Sequence, residues 1–403
     1  MGKEISILLV GIGGYGRHYV DALLNYSGRE NIKIAGVVDP KPEGYRNLNM
    51  IKEMKVPIFN SIEDFYEHLY AGLAIISSPI NYHCQQTCYA LSKGSNVLCE
   101  KPVSATVQDA FKMLQAKEKS GKFVGIGFQW SYTKAIQNLK RDIMNGVLGK
   151  LLRLKTIVLW PRDENYFRRG WAGKKRDGRG NWILDSVANN ATAHYLHNML
   201  YVLGEEEDRS ACPGSVTAEL YRANKIENYD TAAIRVYTKN EAEILFIASH
   251  AVDEQIAPKF IFEFEKARVE YESEDGSGEI KALFNDGTVK NYGSPNEEHI
   301  IKLRTVLDCL NGRGTIPCGI EASIPHITCI NGAQESMKEI GTFPENIINK
   351  DKSTKVTYVK GLSDVLKDCY RDWKLPSEEG IGWAKKGKPV NLIGYKYFSG
   401  DGI

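Results

Sequence analysis

The sequence has no long apolar run: nothing in it approaches the roughly 20 consecutive apolar residues that a bilayer-crossing helix needs. No charged-then-apolar leader opens it either, so neither a membrane span nor an export signal is expected. It lacks an excess of charge, with 52 Lys and Arg against 50 Asp and Glu. No basic block stands out that would follow a phosphodiester backbone or an anionic bilayer, so neither nucleic acid nor a membrane is an expected partner. Paired CxxC spacing is missing as well. Cys84, Cys88, Cys99, Cys212, Cys309, Cys318, Cys329 and Cys369 are too dispersed for a disulfide framework, which points to a reducing cytoplasm. Cys84 and Cys88, one helical turn apart beside His83, have no fourth ligand nearby and read as packing residues, so no metal is expected. The opening Met-Gly-Lys-Glu-Ile-Ser has the outline of an N-myristoylation signal, but Ile5 already begins an apolar strand and leaves little tether. Lipidation is not expected. There is no internal repeat.

What is present is enough for two packed domains: 403 residues, 42% of them hydrophobic. Up to about residue 130, short β-branched runs at 5–10, 32–38, 57–59, 73–77, 97–99 and 123–127 alternate with helix-period segments. That rhythm predicts an α/β domain, a parallel sheet wound on both faces by helices. Ser61 with Asp64, and Thr106 with Asp109, mark helix starts. The rhythm then changes to a helix over 133–145, a strand over 151–160, a loop rich in Arg, Gly and Trp, and a helix over 190–203. Beyond it the period becomes 2. Phe260, Phe262 and Phe264 fall on one strand face, with Ile261, Glu263 and Glu265 on the other. This predicts an α+β domain with an open, mostly antiparallel sheet, one face covered and the other, partly apolar, available to a second subunit. Helices return over 298–310 and 320–337. The expected division is 1–130, 131–345, and an extension over 346–403 packing on both.

After the first strand, Gly11-Ile-Gly13-Gly14-Tyr15-Gly16 satisfies G-x-G-x-x-G, which lets the backbone turn tightly and approach a pyrophosphate at a helix N-terminus. Asp39 closes the second strand, where a carboxylate accepts from ribose hydroxyls and repels a 2′-phosphate, favouring NAD; Lys41 nearby keeps NADP possible. Ser78, Pro79 and His83 follow the fourth strand at the same sheet edge and are candidate cofactor contacts, although His83 by itself also reads as an ordinary helix-start histidine. Glu100-Lys101-Pro102 follows the fifth strand. A lysine there, one strand from the phosphate turn, is placed to reach a substrate hydroxyl whose carbon gives hydride to a nicotinamide. The loop before the 190–203 helix offers Arg162, Tyr166, Arg169 and Trp171, aromatic faces and charged donors suited to a polyhydroxylated ring and equally to a solvated surface.

GIGGYG, VVDP, SSP with a histidine four residues past the proline, and above all EKP together resemble the Gfo/Idh/MocA oxidoreductases, over about residues 5–340. The resemblance implies an N-terminal Rossmann domain, a second domain with an open sheet, a tightly held NAD(P), and homodimers or homotetramers joined through that sheet. It also implies that Lys101 touches both nicotinamide and substrate, and that Gln129 lies near the nicotinamide. The family's second motif, an Asp followed four residues later by His, is altered in "LDSVANNATAHYLHNMLYVLG". Counting back from Gly204 puts His194 at the histidine position and Asn190 at the aspartate position; aligning on Asp185 puts Asn189 at the histidine position. In the first register, Asn190, His194 and His197 share a helix face at spacings of four and three. The expected function is an NAD(P)-dependent dehydrogenase acting on a secondary alcohol of a sugar, cyclitol or polyol. Lys101, His194 and Asn190 are its catalytic candidates and His197 a substrate contact, with either Lys101 or His194 as the base. A glycosidase of the same family that oxidises its sugar transiently, and a nucleotide sensor without chemistry, are the alternatives.

Overall fold

The computed structural model describes residues 4–25, 31–273, 276–298 and 300–403. Gly2, acceptor of the myristoylation outline, lies outside them. The chain divides into two units: residues 1–104, 108–132 and 298–324 form the first, and 105–107, 133–297 and 325–403 the second. Among the described residues no helix is long and apolar enough to cross a membrane, and all eight cysteines are free.

In the first unit, β1 (Ile5–Val10), β2 (Ile32–Val38), β3 (Ile58–Phe59), β4 (Leu73–Ile76), β5 (Asn96–Cys99) and β6 (Val124–Ile126) form one parallel sheet in the order β3-β2-β1-β4-β5-β6. β4 and most of β5 are buried on both faces, which is why they read as unbroken apolar runs. The order reverses between β1 and β4, and the carboxyl ends of the strands beside such a switch are where α/β sheets collect ligands. Ser61 Oγ accepts the Asp64 N–H at 3.0 Å and starts the helix Ile62–His68, as its spacing predicts.

The expected boundary at residue 130 is corrected by the segment 298–324. Its helix Ile301–Leu310 sends Leu303, Val306 and Leu307 into the same buried cluster as Ile7, Val20 and Leu98, and the Cys318 carbonyl accepts the Ile126 N–H at 2.8 Å. An amphipathic pattern shows that a helix buries one face but not against which partner.

The second unit is built on β7 (Leu151–Leu159), β8 (Pro213–Arg222), β9 (Thr231–Thr238), β10 (Glu243–Ser249), β11 (Ile256–Phe264), β12 (Ala267–Tyr271), β13 (Ile280–Phe284) and β14 (Val289–Gly293). With the short pieces Gly341–Thr342 and Val390–Asn391 they make a ten-stranded sheet in the order β14-β13-β12-β11-β7-β10-β9-β8, antiparallel except where β7 meets β10 and Gly341–Thr342 meets β8. Phe260 and Phe262 lie stacked at 4.2 Å on the buried face, each stabilising by about 2 kcal/mol relative to exposure.

The opposite face differs from the expected subunit surface. Register aligns Ile261, Lys155, Leu245, Arg235 and Thr217 across β11, β7, β10, β9 and β8, and the chain's own C-terminal segment lies over the middle of this row. Lys155 Nζ donates to the carbonyls of Tyr370 at 2.7 Å and Arg371 at 3.2 Å, in the helix Leu362–Asp372. Arg235 donates to the Trp373 carbonyl at 2.8 Å and pairs with Glu378, while the Ser377 N–H donates to Glu219. Burial pushes Lys155 down to about 8. Farther out, β11 and β12 carry the ion pairs Lys259–Glu272 and Arg268–Glu270, a charged surface rather than an apolar one.

Candidate functional site

The phosphate turn is held by its glycines and by Asp39. Gly11 and Gly14 have φ of +79° and +50°, a region β-carbons disfavour, and a Cβ on Gly16 would stand 2.0 Å from the Gly11 carbonyl oxygen. Gly14 has nothing within 4 Å of where a side chain would begin, so its backbone is open to a ligand. Asp39 is buried, accepting the Ile12 N–H at 3.1 Å on one carboxylate oxygen and the Lys41 N–H at 3.0 Å on the other. These bonds tie the end of β2 to the turn after β1 and use one lone pair of each oxygen, leaving others for ribose hydroxyls. Tyr45 packs against Gly13. A glycine turn leading into a helix start beside an anchored carboxylate suits a dinucleotide with free ribose hydroxyls.

After β5, the Glu100 carboxylate is buried between Tyr19, whose hydroxyl donates to it at 2.5 Å, and the ammonium of Lys302. Lys302 is itself buried, its Nζ 4.4 Å from the ring centre of Tyr15 in the phosphate turn. Burial alone would raise the Glu100 carboxyl, but Lys302 and the Tyr19 hydroxyl outweigh it and hold the group below its ordinary value. The same pairing raises Lys302 against its burial. The Lys101 N–H donates to Glu100 Oε2 at 3.3 Å, and the Lys101–Pro102 peptide is cis. Lys101 is half-buried beside this ion pair. Gln129 opens the turn after β6 and is also half-buried.

His83 does something other than the expected cofactor contact. Its ring is buried with Nδ1 2.8 Å from the Pro102 carbonyl and Nε2 2.9 Å from the Ser78 carbonyl, so it ties together the loops that follow β5 and β4. Ser78 Oγ donates to Gln86 at 2.5 Å.

In the second unit the helix begins at Ala193, not at residue 190. Asn190 lies in the preceding turn, its N–H bonded to the Ser186 carbonyl at 3.0 Å, so the expected three-residue helix face does not form. Its side chain reaches Tyr166 instead, Nδ2 donating to the phenol oxygen at 3.4 Å. His194, in the first turn of the helix, is half-buried. His197 points into the core: it stacks on Tyr201 at 5.6 Å and meets His326 at 6.5 Å. Burial, with the charges of His326 and Lys140, drives it well below its ordinary value, and this packing is no place for a substrate contact. Asp185 is likewise buried and accepts the Gly173 N–H at 2.6 Å.

Arg162, Tyr166, Arg169 and Trp171 do come together. Arg169 lies 4.0 Å from the ring centre of Tyr166 and 4.6 Å from that of Trp171, and Arg162 lies 5.2 Å from Tyr166. Sequence reasoning missed His250, which joins this group with its ring 5.4 Å from Tyr166. Tyr19 and Lys302 were missed as well. Only the charge of Lys302 within an amphipathic helix hinted at them.

Residues 5–128 match the model of the oxidoreductase family with an NAD-binding Rossmann fold. They are similar to the Rossmann domain of the Gfo/Idh/MocA oxidoreductases. Among curated proteins, the chain is 29% identical over 153 residues to glucose-6-phosphate 3-dehydrogenase of Bacillus subtilis, covering 38% of this chain and 41% of that one. It is 29% identical over 146 residues to inositol 2-dehydrogenase of Salmonella typhimurium, 36% of this chain and 43% of that one. The chain thus spans about two fifths of the length of these relatives. A crystal structure of the WlbA dehydrogenase from Bordetella pertussis in complex with NADH and UDP-GlcNAcA is similar in fold, with TM-score 0.67, 19% identity, and coverage of 83% of this chain and 97% of that one. The fingerprint glycines, Asp39 and the Glu100-Lys101-Pro102 stretch all lie within the matched residues.

Proposed function

We propose that this protein is an NAD-dependent dehydrogenase acting on a secondary alcohol of a sugar, cyclitol or related polyol. The observation that carries this reading is Lys101 at the carboxyl end of β5, at the same sheet edge as the glycine turn with β4 between them, and with Glu100 beside it already neutralised by Lys302. The relatives named above are dehydrogenases of a sugar phosphate and of a cyclitol, which supports the same class.

Bound NAD would supply the hydride acceptor. Backbone N–H groups at the turn and at the helix Gly16–Leu24 bind the pyrophosphate, and Asp39 holds the adenosine ribose and disfavours a 2′-phosphate. Glu100 is engaged by Tyr19 and Lys302, and Lys101 polarises the substrate hydroxyl oxygen. Within the second unit, His194 is the candidate for moving a hydroxyl proton, and Asn190, bonded to Tyr166, the candidate for orienting a substrate.

Two measurements test the proposal. Sugars and cyclitols incubated with NAD and with NADP should produce reduced cofactor, more readily from NAD. Lys101→Ala should abolish that turnover while leaving NAD affinity within about threefold, since the phosphate turn and Asp39 are untouched; a fully active Lys101→Ala protein rules the assignment out.

A further inference from the structure

The loop after β7 carries two guanidinium groups that no carboxylate neutralises among the described residues. Arg162 lies against the rings of Trp160 and Tyr166, at 5.6 and 5.2 Å. Arg169 lies against Tyr166 and Trp171, its Nε donating to the Tyr166 carbonyl at 2.9 Å. The acids around them make other bonds, although the charge of Asp185 also acts on Tyr166. Asp163 accepts the Tyr166 N–H at 3.0 Å and the Asn165 amide at 3.1 Å. Glu164 pairs with Lys350 and, at 3.8 Å, with Arg168, and Asp185 holds the Gly173 N–H.

Further polar atoms there lack a partner. Arg162 Nε is buried with no hydrogen-bond acceptor among the described residues, a cost that an acceptor brought by a ligand removes. His250 is buried with Nδ1 2.8 Å from the Trp160 carbonyl, to which only an N–H can bond. Burial keeps that ring neutral, so Nε2 is left as a bare acceptor, and it too has no partner. Both arginine charges act on His250 and on Tyr166, so the guanidiniums, phenol and imidazole are one cluster.

We infer that the cluster of Arg162, Arg169, Tyr166, Asn190 and His250 binds an anionic substituent of the substrate, a carboxylate or a phosphate. The substrate is then an acidic or phosphorylated sugar or cyclitol rather than a neutral one. Guanidinium forks match both kinds of oxyanion, and aromatic faces beside them suit the carbon face of a ring. His250 Nε2 accepts a hydroxyl next to the anionic group. This rests on the dehydrogenase reading and narrows it.

Isothermal titration of the full chain with NAD present, using glucose 6-phosphate, glucuronate and glucose, tests it. At least one anionic sugar should bind ten times or more as tightly as glucose. That advantage should fall about tenfold in Arg162→Gln and in Arg169→Gln, and should shrink with added salt. Preference for glucose 6-phosphate identifies phosphate as the recognised group, and preference for glucuronate a carboxylate. Glucose binding as tightly as both, no binding by either anionic sugar, or an anionic preference unchanged when Arg162→Gln and Arg169→Gln are combined overturns the inference. The parent reading fails separately. Reduction of NAD by glucose alone leaves a dehydrogenase without an anion site, and Arg162-dependent binding that never yields NADH leaves an anion site without a dehydrogenase.

Discussion

The ammonium of Lys302 is buried against the carboxylate of Glu100, two charges brought together across about two hundred residues of chain and neither reached by solvent. A buried pair of this kind is costly to break one partner at a time, because the survivor stays desolvated and unpaired. Lys302→Met should therefore destabilise the protein by about 3–5 kcal/mol. Adding Glu100→Gln to it should recover much of the loss, since Tyr19 can still donate to an amide oxygen. Urea unfolding of the two single variants and the double variant checks this; additive losses would mean that the charges do not act as a pair.

Asp39 holds the glycine turn by two main-chain bonds, and in the proposed reading it also accepts from the ribose hydroxyls. Asp39→Ala should weaken NADH binding by about tenfold or more, from the loss of charge-assisted bonds. It should weaken NADPH binding less, because the group that repels a 2′-phosphate is gone. Parallel fluorescence titrations with NADH and NADPH read the ratio directly. An unchanged ratio removes Asp39 from the specificity argument.

These parts were legible because they are local. A glycine fingerprint, the residue closing the next strand and a Glu-Lys-Pro after a buried strand each declare themselves within a few positions, and their common sheet edge follows from strand order. What stayed hidden depends on distant packing. His194 and His197 are three apart, yet one is half-exposed and the other stacks on Tyr201 in the core, a difference set by where the helix meets β7 and β10. Asn190 was read one turn too far into the helix because nothing in the sequence showed that 186–190 would close a turn of its own. The C-terminal segment carries no motif, and its contacts with Lys155, Arg235 and Glu219 reveal that it lies on the sheet.

His250 is pushed down to about 3 by burial. The unfolded ring titrates near 6.5, so below that pH the unfolded chain binds a proton that the folded chain refuses. The stability held by the neutral ring is complete above about pH 6.5 and falls by about 1.4 kcal/mol per pH unit below it, until the folded ring also titrates. His83 and His197, lowered by burial as well, act in the same direction. His250→Asn should be less steep than wild type by about one proton between pH 6 and pH 4.5 when urea unfolding is followed, the midpoint range set by these values. Equal slopes would contradict a neutral buried His250.

Gly16 leaves no room for a side chain, with the Gly11 carbonyl oxygen 2.0 Å from where a Cβ would be built. Gly16→Ala must push the helix start away from the glycine turn proposed to bind the pyrophosphate. NAD affinity should fall by about tenfold or more, while the second unit, which does not contain the turn, keeps its fold. Calorimetric titration with NAD and far-UV circular dichroism separate the two effects.

The return of residues 298–324 to the first unit sets an order on synthesis at the ribosome. When the last strand of the parallel sheet has emerged, the hollow for Leu303, Val306 and Leu307 is still empty and Glu100 has no cation beside it. The sheet must wait for roughly another 170 residues, the whole inserted stretch from Thr133 to Glu297 among them, before the helix that finishes it arrives. An expression fragment cut at the apparent end of the nucleotide-binding region would be born with an open apolar groove and an unbalanced buried charge. The shortest piece that can fold as that unit has to include the helix carrying Lys302.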